Sequence, residues 1–115
     1  ADKCLNRTNH NFEETMTEQT TDPDFFKRVE DHISLSNEQM KTIDGGRVAM
    51  SQTFAAARFS AWMCANYDGS GERMTQRKEE AMRIFTNEFI RMFEQSYDDY
   101  AKNYDLYDAQ ARQSI

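Results

Sequence analysis

Between Arg47 and Tyr67 the chain places apolar residues on two sides of one helix at once, and that stretch constrains the fold more than any other. At helical spacing Ile43, Met50, Phe54, Ala57, Ala61 and Cys64 share one stripe, while Val48, Ala55, Phe59 and Trp62 share a second. A helix that is apolar on two sides is expected to be buried, with neighbours on both. The small residues Ala55, Ala56, Ala57, Ser60, Ala61 and Ala65 permit close approach, and the aromatic ones fill the gaps. The sequence therefore predicts an all-α chain, a small bundle of four to five helices wrapped around a central helix over about 47–67.

The length supports that reading. With 115 residues the chain makes one domain, 1–115, with one core. Four Gly and one Pro are too few for a many-turned β fold. Twenty acidic against 14 basic residues give a net charge of -6, which repels a phosphate backbone and disfavours nucleic acid as a partner. A protein with a basic surface is the natural complement. No apolar run reaches the roughly 18 to 20 residues of a membrane span, since Arg47, Gln52 and Arg58 interrupt the richest one.

The two cysteines, Cys4 and Cys64, are expected to form one disulfide. Closing a loop of about 60 residues, it contributes on the order of 4 kcal/mol by loop entropy. A disulfide implies a periplasmic or secreted location, and the first residues, Ala1-Asp2-Lys3-Cys4, fit a processed end. Asn6-Arg7-Thr8 matches the glycosylation sequon.

Residues 3–19 read as a peripheral helix anchored by Cys4, Leu5, Phe12 and Met16. Thr21 or Asp22 caps a second helix, with Pro23 at its first position, running to about Ile33 and burying Phe25 or Phe26, Val29 and Ile33. Ser36 and Gln39 form a capping box that starts a third segment. Gly45-Gly46 interrupts it, at a cost of roughly 2 kcal/mol in a helix interior, and is expected to mark a kink, a close helix crossing or a hinge. The central helix ends at Asn66-Tyr67-Asp68-Gly69-Ser70-Gly71. From Glu72 onward Met82, Phe85, Phe89, Met92 or Phe93, Tyr97, Tyr100, Tyr104 and Tyr107 recur at spacings of three and four, which predicts one long helix or two in close succession. Forty helical residues span about 60 Å, against a radius of gyration near 13 Å for a domain of this size. Such a helix bends, protrudes or is covered by a second chain.

Asn66 to Gly71 resembles the first half of an EF-hand calcium loop, with oxygen ligands at positions one, three and five and Gly at six. The resemblance stops there, because Arg73 and Arg77 stand at positions eight and twelve, and no metal is expected. His10 and His32 belong to no metal-ligand motif, and no cofactor is implied. The carboxylate pairs Glu13-Glu14, Glu30-Asp31, Glu79-Glu80 and Asp98-Asp99 sit in polar surroundings, without the apolar cleft that tunes a catalytic acid. No catalytic residue is assigned, and the chain reads as a binding protein.

Its contact residues are expected to be the tyrosine row, Tyr97, Tyr100, Tyr104 and Tyr107, with the Asp68 to Glu72 loop. The expected job is to bind another protein, as an immunity protein or an inhibitor of a toxin or hydrolase does. Alternatives are a small-molecule or lipid carrier, if the two-sided helix encloses a cavity, and a structural subunit of an exported assembly. In the latter the last helix pairs with its own copies, as in a homodimer.

Overall fold

A computed structural model of the chain describes residues 22–113. They form four α-helices and no strand: α1 (Phe25–Gln39), α2 (Gly45–Asp68), α3 (Gly71–Lys102) and α4 (Tyr104–Gln113). The all-α class and the approximate helix count are as expected. The helix expected over 3–19, with Cys4 and the Asn6 sequon, lies outside the described residues. Two compact units divide the chain, Ala1–Lys78 and Glu79–Ile115.

In the first unit α1 starts one step later than its sequence suggests. Pro23 lies in the preceding turn and Asp24 is the N-cap. The Asp24 side chain makes no capping hydrogen bond; instead Asp22 Oδ1 accepts from the Asp24 N–H at 3.2 Å, and Asp22 also ion-pairs with Arg28 one turn on. The hydrogen bond from Arg28 is the main reason the Asp22 carboxyl titrates below its usual range and the guanidinium above its own. The helix does not stop near Ile33. Ser36 and Gln39 lie in its last turn, where the Ser36 carbonyl accepts from the Met40 N–H at 3.0 Å, so the capping-box pattern starts nothing. Phe25 is half-buried, but Phe26 and Ile33 are exposed and no α1 residue is fully buried.

Gly45-Gly46 is a beginning and not an interruption. Asp44 is the N-cap of α2, and its Oδ1 accepts from the Arg47 N–H at 3.0 Å. A Cβ on Gly46 would lie 3.2 Å from that same oxygen, so the glycine leaves room for the cap. At the far end Gly69 adopts φ 81°, and its N–H donates to the Ala65 carbonyl at 2.9 Å. Ser70 caps α3, accepting from the Arg73 N–H at 3.2 Å.

The body of α2 overturns the central expectation. Only Val48, Cys64 and Asp68 are buried, all near its ends, and every residue from Ala49 to Phe59 is exposed. Phe54 is 68% exposed and Trp62 59%. Two apolar stripes require two covering surfaces. Among the described residues α1 meets α2 across the short Met40–Asp44 connection, where Gln39, Thr42 and Ile43 face Arg47, Val48 and Ser51 across an open hollow. The disulfide expectation is not supported: no cysteine pair at disulfide distance occurs among the described residues, Cys64 is buried, and Cys4 lies outside them.

In the second unit α3 buries Ile84, 1% exposed, and Glu88. Glu88 is held by Arg91, whose Nη2 and Nε donate to its Oε2 at 2.7 and 3.0 Å. The pattern after Glu72, expected as one long helix or two in close succession, is two helices, broken at Asn103. Asp99 makes that joint: its Oδ1 accepts from Asn103 Nδ2 at 2.8 Å and its Oδ2 accepts from the Tyr107 hydroxyl at 2.6 Å.

Candidate functional site

At spacings of four and three, Phe89, Phe93, Tyr97 and Tyr100 fall within a narrow arc of α3. All four are exposed, Phe93 at 57% and Tyr97 at 65%. Their rings form a ladder. Phe89 and Phe93 stack with centroids 5.9 Å apart, and Phe93 and Tyr97 at 5.8 Å, each pair 29° from parallel. Ile90, Glu94 and Asp98 border the ladder, and together these side chains line an open trough of about 370 Å³. Ile84 and Glu88 project from the opposite side of the helix, so the ladder is not what anchors α3.

The trough is acidic. Glu94 and Asp98 make no ion pair among the described residues, and no basic side chain lines it. Between Glu79 and Ile115 there are eight carboxylates and four basic residues.

The expected contact residues divide. Tyr97, Tyr100 and Tyr104 are exposed as a row across α3 and α4. Tyr107 has another role: its ring lies 4.5 Å from Tyr100, and its hydroxyl is committed to Asp99. The Asp99 hydrogen bond, ahead of burial, raises the Tyr107 pKa. Asp68 and Glu72 belong to the other unit. Glu72 is exposed in the first turn of α3, where its charge favours the helix start. Asp68 is only 5% exposed as the last residue of α2, which removes it as a surface contact, and its Oδ1 has no hydrogen-bond partner among the described residues. No group of three or more His, Cys, Asp or Glu able to hold a metal occurs among the described residues. Nor is any described helix long and apolar enough to cross a membrane.

Sequence reasoning placed Phe89 and Phe93 in one run with the tyrosines but left them out of the expected contact residues. The signal for including them was the unbroken spacing from Phe89 to Tyr100. Arg58 was read only as an interruption of the apolar run. It stands four residues from Phe54 on one stripe and from Trp62 on the other, and all three are exposed.

A family model, described as a protein of unknown function (DUF3144), matches residues 25–101. The chain belongs to this family. The matched stretch opens at the first residue of α1 and closes near the end of α3, so it holds both aromatic rows and leaves out Tyr104 and Tyr107. No curated protein and no solved structure matches the chain.

Proposed function

We propose that this chain is a protein-binding module whose α3 ladder receives the basic, amphipathic surface of a partner. The observation that carries the proposal is the ladder, the three stacked side chains Phe89, Phe93 and Tyr97 in solvent beside two carboxylates that lack an ion pair among the described residues. Aromatic side chains supply most of the energy at protein interfaces, because they bury large areas at small entropic cost. Unpaired carboxylates at the edge raise the encounter rate with a cationic surface and select against an acidic one. Blocking a toxin or hydrolase by covering such a surface is the specific form of this activity. An exported location was expected from the Cys4 and Cys64 bridge, which is not supported among the described residues, and the proposal names no compartment.

The test is an NMR titration of the full chain with a synthetic amphipathic helix carrying Lys and Arg on its polar face. The expected result is saturable shifts at Phe89, Phe93 and Tyr97, abolished by Phe93→Ala with Tyr97→Ala and absent with a Glu-substituted peptide. Shifts scattered over the surface, or equal for both peptides, contradict it.

A further inference from the structure

Resting on that reading of the ladder, we infer that its partner is a second copy of this chain, which seats the Phe54, Arg58 and Trp62 row of its α2 on the α3 ladder. Three observations carry the inference. The first is charge. On α2, Arg47 is ion-paired with the N-cap Asp44 and the one carboxylate within the helix, Asp68, is buried, which leaves Arg58 as the exposed charge beside Phe54 and Trp62. The ladder is bordered by Glu94 and Asp98. Arg58 is therefore a charge that the border of the ladder attracts.

The second is spacing. Phe54 and Trp62 stand eight residues apart, as do Phe89 and Tyr97, which is about 12 Å along either helix. Arg58 lies at the midpoint of one row and Phe93 at the midpoint of the other. With the two rows in contact, Arg58 lies beside the Glu94 carboxylate next to Phe93, a group a guanidinium binds well. Arg58 makes no ion pair among the described residues that would have to be broken first.

The third is area. Each aromatic side chain carries about 150 to 250 Å², and those in these rows are more than half exposed, so one row buries on the order of 400 Å². A specific interface needs roughly 800 Å² per partner. Each copy carries both rows, so a pair that engages both rows of each copy reaches that figure.

The test is sedimentation equilibrium of the full chain from 1 to 100 µM (chosen to span on the order of micromolar affinity), with helix content followed by circular dichroism. The wild type is expected to dimerise. Arg58→Glu, and separately Glu94→Arg with Asp98→Arg, are expected to weaken dimerisation roughly ten- to a hundredfold while leaving helix content unchanged, since all three positions are exposed. Mixing the two variants restores a dimer, because each contact then again joins opposite charges. A wild type that stays monomeric at 100 µM overturns the inference, as does a dimer indifferent to both reversals. In the monomeric case the basic peptide separates the two readings: binding at the ladder leaves it a site for another protein, and no binding removes the ladder reading too.

Discussion

α2 and α3 both leave a row of aromatic side chains in solvent, but they do so differently. α3 is two-sided: Ile84 and Glu88 are buried on one side, and Phe89, Phe93 and Tyr97 are bare on the other. α2 is fixed at its ends, by Asp44 and Gly69, and between Ala49 and Phe59 it is bare all round. One helix divides its sides between fold and partner, while the other divides its length. An exposed apolar row is thus the complement of something outside the unit that carries it, and the opposite charges beside the two rows indicate what.

The comparison breaks most visibly at Ile84. Ile84→Ala opens a cavity at a fully buried site and is expected to cost about 2 to 5 kcal/mol in chemical denaturation. At the turn that ends α2, Gly69→Ala forces a Cβ into the left-handed region at φ 81° and is expected to cost about 1 to 2 kcal/mol, read the same way. Trp62→Ala, which in a packed core costs about 3 to 5 kcal/mol, is expected to change the stability of dilute protein by no more than about 0.5 kcal/mol. A large loss there would show that α2 is buried within its own chain after all.

The smallest effect is at the α3 to α4 joint. The hydrogen bond that Tyr107 donates to Asp99 raises the tyrosine pKa. Its contribution is therefore fully present below the unfolded tyrosine value, about 10, and is lost as pH rises through the higher folded value. Absorbance titration of the tyrosines is expected to show one group ionising above the rest, and Tyr107→Phe is expected to remove it.

What could be read from the sequence was what local chemistry decides. Gly69 ends α2 because a left-handed residue is needed there, and the helical run after Ser70, expected as one helix or two, follows from the spacing of Phe and Tyr. The paired glycines were misread because Asp44 was not seen as a cap, and without the cap Gly45 looks like a fault in a helix and not its first residue. The α3 to α4 break escaped because Asn103 and Asp99 make it through side-chain hydrogen bonds, with no Gly or Pro to mark it. The largest error, the buried α2, has another origin. Periodicity tells which residues are apolar but not whether the rest of the chain covers them, and Arg58 between Phe54 and Trp62 was a sign of an exposed surface.

Trp62, the chain's one tryptophan, offers the most direct check. Its fluorescence can be followed as the full chain is diluted from 100 to about 1 µM, a window that brackets micromolar association, with Arg58→Glu alongside. The account predicts the emission of a water-exposed indole in dilute wild type, moving to the blue as concentration rises, while the variant stays unshifted. Blue emission at every concentration would mean that Trp62 is buried inside a single chain. Unchanging water-like emission up to 100 µM would mean that the row on α2 does not meet a second copy.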